Sequence, residues 1–239
     1  ALLSTTQRTA IKTAVANLRG RGGTPTANAY AEVAAYMLGT NTSTASNLGY
    51  SGFSKSVLGS KVGSSSTATN YQTPLSTTNT QCNGQGIYFL TDGEPNSSPA
   101  PVPLMQAALG ANGSSFSVPA TGTLPNGSQS GHGMPAVGEF AKALRNQRAS
   151  TTAPNRNPLG LEIKTAVVGF GSVFNVDRTA DAAKPVAQRV IRTLDYINSA
   201  GVRTNEQRDY YNCSLITNVD AQNACNWGAK PHPDLPSSV

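Results

Sequence analysis

Two short segments carry the side chains best suited to chemistry. Thr24 stands in Gly-Gly-Thr-Pro-Thr, and Asp92 stands in Tyr-Phe-Leu-Thr-Asp-Gly-Glu-Pro-Asn, where a β-prone apolar run stops at a carboxylate. The run predicts a strand, and the Gly and Pro that follow predict a tight turn at its carboxyl end. Ligands bind at that edge of open α/β sheets, and a carboxylate fixed there is a natural ligand for a hard divalent cation. The two segments together predict half of an oxygen-rich cation site.

Both residues also have purely structural interpretations. Asp92 and Gly93 form a common turn dipeptide. Thr24 stands where an N-cap would precede the helix expected over 27–38, and Pro25 stands where a first-turn proline is tolerated. The interpretations of Thr24 are compatible, since a threonine can cap a helix and also coordinate a cation.

The elements that must position these residues alternate between helix and strand. Apolar residues at helical spacing predict helices over 5–18, 27–38, 133–148 and 184–200, and continuous apolar runs predict strands over 86–91 and 161–170. Unbroken apolar strands are typical of buried parallel sheets, so we expect an α/β fold with a doubly wound, mostly parallel sheet. Such a sheet needs about five or six strands, and the sequence shows only two clearly.

Two long stretches rich in Ser, Thr, Asn and Gly interrupt these elements, and we interpret them as insertions outside the core, with a short helix near 54–58. The expected division is a core of 5–40, 85–96 and 133–200, insertions at 41–84 and 97–131, and an irregular tail at 201–239.

The composition excludes several classes of protein. Of 239 residues only 13% are charged, and abundant hydroxyl and amide side chains are typical of a secreted or surface protein. We find no apolar stretch long enough to span a membrane. The net charge is +6, and the basic residues are spread along the sequence without a dense tract. Solvated helix faces therefore explain these residues better than nucleic-acid binding does, although weak attraction to polyanions stays possible.

Cysteines and histidines add little chemistry. The spacing of Cys213 and Cys225 allows a small-loop disulfide, which would pin the tail, and Cys82 then implies a partner outside this sequence or a buried free thiol. We expect Trp227 to be a packing anchor near that disulfide, and the isolated His132 and His232 to lie at the surface. No zinc spacing, Ser-His-Asp arrangement, P-loop or dinucleotide motif is recognisable, so we do not expect an enzyme.

The two motifs resemble the metal-ion-dependent adhesion site of the von Willebrand factor A family, which uses an Asp-x-Ser-x-Ser loop, a Thr before a helix and an Asp in a Thr-Asp-Gly turn. Gly-Gly-Thr-Pro-Thr resembles the second loop and implies Thr24 as a ligand. Leu-Thr-Asp-Gly-Glu-Pro-Asn resembles the third loop and implies Asp92. The resemblance further implies Mg²⁺ (or Mn²⁺ or Ca²⁺) as the metal, with Thr26, Glu94 and Asn96 supporting the ligands.

A narrower resemblance rests on Cys82, on the long polar stretch after Gly-Gly-Thr-Pro-Thr and on Ala-Cys-Asn-Trp-Gly at 224–228. These features resemble the N-terminal domain of the PilY1/PilC family of type IV pilus tip adhesins of Gram-negative bacteria. The resemblance implies an extracellular adhesion module at the pilus tip that also supports pilus assembly. Implied partners are minor pilins, a host-cell or surface ligand and the remainder of the same adhesin. Alternatives are a structural tip component with a vestigial metal site, or a subunit of a metal-assisted enzyme of chelatase type.

One motif of the family is not found. Asp-x-Ser-x-Ser occurs nowhere in the sequence, so the resemblance implies that the first strands and further ligands lie outside these 239 residues. Thr24 and Asp92 alone leave a cation with too few protein ligands. We therefore expect that this chain does not fold as an isolated unit with an occupied metal site.

Overall fold

The structure is a computed structural model that describes residues 4–17, 23–45, 50–75, 85–91, 96–119, 124, 133–145, 157–169, 174–198, 200–230 and 232–236. The helices are α1 (Thr5–Ala16), α2 (Thr26–Leu38), α3 (Pro101–Ala108), α4 (Met134–Arg145), α5 (Arg178–Ala182) and α6 (Val219–Gly228). The strands are β1 (Gln85–Thr91), β2 (Ile163–Gly169), β3 (Ile191–Ile197) and β4 (Arg203–Tyr211). Cys82 and His132 lie outside the described residues.

β1 and β2 form a parallel pair, in register from Gln85 opposite Ile163 to Thr91 opposite Gly169. Successive side chains alternate between two faces, as strand geometry requires. The inner face is covered, whereas every residue of the other face is exposed. A chain of mixed helices and strands with a small parallel sheet is compatible with the α/β class that the sequence predicts.

The covered face of the sheet carries the core. α2, α3 and α4 pack against one another there, and α4 and α6 contact β2. Small side chains let α2 approach its neighbours closely, since Ala27, Ala31, Ala34 and Ala35 are all fully buried. Tyr30 lies at the centre of this layer. Its ring packs edge-on against those of Phe140 in α4 and Trp227 in α6, with ring centroids 5.2 Å and 5.0 Å apart. Such aromatic pairs add stability to a core in addition to that from the apolar area they bury.

α3 corrects the interpretation of 97–131 as an insertion outside the core. Its Leu104, Met105 and Ala108 are buried in the same cluster as α2 and α4. The prolines of this segment suggest a broken, exposed chain, but Pro101 occupies the first helical position, where its fixed φ suits a helix and its missing N–H costs nothing.

The other polar stretch is attached to α2 through Glu32 and through Met37, whose carbonyl accepts a hydrogen bond from Thr73 Oγ1 at 2.6 Å. Glu32 accepts hydrogen bonds from Thr42 Oγ1 at 2.6 Å, from Gly52 N at 2.9 Å and from the hydroxyl of Tyr71. The Phe53 and Tyr71 rings pack edge-on at 4.8 Å, and both side chains are buried. Residues 50–75 therefore fold onto the core through a few contacts, with single 3₁₀ turns that include Phe53–Lys55, near the expected short helix.

The helix predicted over 184–200 is wrong. β3 occupies most of that range and pairs antiparallel with β4, with a bulge between Asp195 and Ile197. Asn198 Oδ1 accepts from the Ala200 and Val202 amides, each at 3.0 Å, and so closes the hairpin turn. Apolar residues four apart fit a helix here, but the Ile, Thr and Tyr residues between them favour a strand, and cross-strand pairing decides.

The tail after Gly201 is also more regular than expected. After β4, Cys213 and Cys225 form a disulfide, the pair that the sequence spacing allows, and α6 brings Trp227 into the core. The expectation that His232 lies at the surface is wrong. The His232 side chain is buried, its Nε2 lies 3.1 Å from the Asp195 carbonyl oxygen, and its ring packs against Tyr210 at 4.6 Å.

Candidate metal site at the start of α2

The segment that leads into α2 lies directly against the segment that follows β1. Thr24 N donates a hydrogen bond to Asn96 Oδ1 at 2.8 Å, and Asn96 N donates to the Thr24 carbonyl at 2.9 Å. These residues belong to the two motifs that the sequence singles out, and they are 72 positions apart. The fold therefore brings Thr24 of one motif into contact with Asn96 of the other, and Asn96 fixes the backbone of Thr24.

A glycine is required for this close approach. A Cβ at Gly23 would overlap Asn96 Oδ1 and the side chain of Ser97. One turn further along, Ser98 Oγ accepts a hydrogen bond from Ala27 N at 3.1 Å. Ser98 thus satisfies one of the first amides of α2, which have no partner within the helix.

The N-cap interpretation of Thr24 does not hold. Pro25 occupies the N-cap position of α2, and no side-chain cap is formed there. The Thr24 carbonyl accepts from Thr26 N at 2.8 Å. The Thr24 side chain is partly exposed, and no described residue hydrogen-bonds its hydroxyl. That hydroxyl is therefore free to coordinate a cation as far as the described part of the chain is concerned.

Two buried oxygens in the first turn of α2 lack partners. Thr26 is 4% exposed, and neither its Oγ1 nor the Oδ1 of Asn28 has a hydrogen-bond partner among the described residues. A buried oxygen without a donor costs roughly 1–3 kcal/mol. Both atoms can accept a hydrogen bond or coordinate a cation, and Thr26 is one of the supporting residues that the family resemblance implies.

The amino ends of α2, α3 and α4 meet at this place. Gly133, which precedes α4, has φ +70°, and a Cβ on it would lie 2.7 Å from Ala27 Cβ and 3.3 Å from Pro101 Cγ. A helix amino end carries partial positive charge. The local field therefore opposes a cation unless carboxylates offset it.

The carboxylates of the expected site lie outside the described residues. β1 ends at Thr91, which is buried, and Asp92 and Glu94 follow in the undescribed segment 92–95. Among the described residues, no three His, Cys, Asp or Glu side chains form a group that could hold a metal ion.

A second candidate lies at the carboxyl end of β2, where a cavity of about 550 Å³ is lined by Val167, Phe174, Leu215, Cys225 and others. Asp181 also lines it and is buried, but its carboxylate accepts from Ile191 N at 2.9 Å and from Val190 N at 3.0 Å. The hydrogen bond from Ile191 N is the largest cause of the lowered pKa of Asp181. This carboxylate joins α5 to β3 and is not available as a cation ligand.

Sequence patterns miss several residues of the candidate metal site. Ser98 and Gly133 carry no local signal for their roles, since their partner Ala27 is remote in sequence.

Within the described residues, no helix is long and apolar enough to cross a membrane. Comparisons of the chain with protein-family models, with curated proteins and with solved structures find no match. Function must therefore be inferred from the residues and their geometry.

Proposed function

We propose that this chain is a cell-surface adhesion module that binds its ligand through a divalent cation held by Thr24 and Asp92. The pair of hydrogen bonds between Thr24 and Asn96 carries the proposal, because it joins two motifs that are remote in sequence. The proposal extends to a von Willebrand A-like, doubly wound fold and to an extracellular position at the tip of a type IV pilus. Minor pilins and a host-cell or surface ligand are its proposed partners.

The residues present fit a hard cation. Mg²⁺ prefers a near-octahedral set of oxygens and keeps several waters. Thr24 would supply a hydroxyl, Asp92 a carboxylate, and the unpartnered Thr26 Oγ1 and the Glu94 carboxylate would support them. Because the nearby helix amino ends are positive, cation affinity would depend mainly on the carboxylates.

In this function the protein residues hold the cation in position, and the cation binds the ligand. Asn96 would keep the Thr24 backbone in place, and the small Gly23 would keep the two segments close enough to share an ion. A bound cation supplies an open coordination position for an oxygen of the ligand. The chain acts as a binding module and no covalent step is involved.

Cation binding can be tested directly by titration with Mn²⁺ followed by electron paramagnetic resonance. We expect Asp92→Asn to weaken binding about tenfold or more, and Thr24→Val to weaken it less, because a neutral ligand is lost instead of a charged one. Thr179→Val is the matched control, since Thr179 is exposed in the first turn of α5 and belongs to neither motif. Mn²⁺ binding that is detectable and equally tight in the parent chain and in Asp92→Asn would refute the metal assignment.

The structural alternative is favoured by one observation, the shortage of oxygen ligands among the described residues. Asp92→Ala in piliated cells separates the two functions. Adhesion that falls while pili still assemble supports the metal-dependent module. If both adhesion and piliation survive the substitution, the metal-dependent module is refuted. If the cells lose their pili while the purified protein still binds surfaces, the structural role is favoured.

A further inference from the structure

Another cavity lies where β1 and β2 meet the carboxyl ends of α4 and α6. Its volume is about 630 Å³, within the range of about 300–1,000 Å³ that is usual for small-molecule sites. The strands line it at 86–88 and 164–166, toward their amino ends, whereas Asp92 follows the carboxyl end of β1. The proposed cation function makes no use of this cavity.

Small residues open the exposed face of the sheet where it lines the cavity. In the register of the parallel pair, Gly86 stands beside Lys164, and Tyr88 stands beside Ala166. All four residues are exposed and line the cavity. Tyr88 and Lys164 therefore have no bulky neighbour directly opposite them on the paired strand. An aromatic ring and an ammonium group are thus accessible to a ligand.

The lining of the cavity carries more positive than negative charge. Arg145, Lys164 and Lys230 line it, and Glu162 is the one carboxylate among the described residues that do. Glu162 carboxylate oxygens lie 4.0 Å from Arg145 Nε and 3.8 Å from Lys164 Nζ, at the limit of an ion pair. Lys230 Nζ donates to the Ile197 carbonyl at 3.0 Å, which satisfies a donor without cancelling its charge.

Part of this positive charge has a structural role. Arg145 stands in the last turn of α4, and Lys230 follows the carboxyl end of α6. Each helix carboxyl end carries about half a negative charge, so the two ends and Glu162 still leave about one positive charge in excess. That excess favours a ligand with a single negative charge.

We propose that this cavity binds a small organic monocarboxylate, with its carboxylate between Arg145 and Lys164 and its apolar body against Tyr88. Both cations already lie within 4.0 Å of the Glu162 carboxylate, so they are close enough together to share a carboxylate of the ligand. The planar fork of an arginine also matches the two oxygens of a carboxylate. Glu162 competes with the ligand for the same two cations.

Titration with benzoate tests the site. Trp227 is the single tryptophan of the chain and lines the cavity, so its fluorescence reports occupancy. EDTA is present throughout, so that no divalent cation at Thr24 and Asp92 contributes. We expect a saturable change with half-saturation at about 1 mM, because the two cations are partly exposed, and about tenfold weaker binding of the neutral benzamide. The absence of a saturable change with benzoate, equal affinity for benzamide, or tighter binding of inorganic phosphate would overturn the proposal.

Substitutions in the lining should act in opposite directions. Arg145→Gln should weaken benzoate binding about tenfold, and Lys164→Gln about threefold, because the Lys164 side chain is more exposed. Glu162→Gln removes the competing carboxylate and should strengthen binding about threefold. A purely structural role of Glu162 would not produce this gain.

Lys55→Gln is the matched control, since it removes an exposed lysine that does not line the cavity, and it should leave benzoate affinity unchanged. Affinity that is equal in the parent chain, Arg145→Gln and Lys164→Gln would place the benzoate elsewhere and reject the site. Because the titrations contain no free divalent cation, failure of this proposal leaves the proposed cation function untouched, and failure of that function leaves this cavity untouched.

Discussion

Tyr30 offers a test of the core whose outcome depends on pH. Its side chain is fully buried, and its hydroxyl lies 2.6 Å from Thr165 Oγ1 on β2. Burial raises the pKa of Tyr30 from 10.0 to about 12, although the nearby polar groups of Thr165 and Trp227 act in the opposite direction. Tyr30→Phe removes the hydroxyl and keeps the aromatic packing. At pH 8 we expect the free energy of unfolding to fall by about 1 kcal/mol, the usual value of one hydrogen bond.

The sign of the pH effect follows from the raised pKa. Below pH 10 Tyr30 is neutral in both states, and its contribution to stability is fully present. As pH rises from 10 to about 12 the unfolded chain loses the proton first, so ionisation favours unfolding. By pH 11 the parent chain should lose roughly 1 kcal/mol through this one group. Tyr30→Phe cannot lose this contribution, so the two stabilities should converge near pH 11.

Urea unfolding of the parent chain and of Tyr30→Phe from pH 8 to pH 11, followed by circular dichroism, measures the difference directly. Other tyrosines and the lysines titrate in both proteins, and subtraction removes their effects. A difference that stays constant over this range would refute the raised pKa. An unchanged stability at pH 8 would refute the contribution of the Thr165 contact.

Two further variants probe the chain connections. Replacing Cys213 and Cys225 together by serine opens a loop with a sequence separation of 12, and should lower the free energy of unfolding by about 3 kcal/mol in urea titrations; a loss well below 1 kcal/mol would contradict this. Gly133→Ala should lower it by about 2 kcal/mol or more, because φ is +70° and the new Cβ would meet Ala27. Gly59→Ala, with nothing within 4 Å of the new Cβ, is the matched control, and equal thermal midpoints for both variants would count against the strain at Gly133.

The elements with one strong local pattern are predictable from the sequence. α4 follows from apolar residues at helical spacing, and Met134, Val137, Phe140 and Leu144 are all buried as that spacing requires. β1 and β2 follow from continuous apolar runs. In α4 the local pattern and the tertiary packing agree, whereas β1 and β2 are exposed on one face although their apolar runs predict burial on both.

The errors arise where local patterns are ambiguous or where remote contacts decide. Over 184–200 apolar residues at helical spacing alternate with residues that favour strands, and pairing with β4 selects the strand over Ile191–Ile197. His232 has polar and proline neighbours in sequence, but Tyr210 and Asp195 cover it from a remote part of the chain. In the candidate metal site, Thr24 and Asn96 stand in the two motifs that the sequence singles out, whereas Ser98 acts through a contact 71 positions away that leaves no local trace.

The way in which residues 50–75 are attached has a consequence for evolution. Glu32, Phe53 and Tyr71 hold this segment to α2, whereas Val57 and Val62 between them are 74% and 48% exposed. Substitutions at such exposed positions leave the contacts with α2 unchanged. Mutation can therefore diversify this outer surface of the protein while the few attachment points are kept, so that selection for new surface properties need not compete with selection for a stable core.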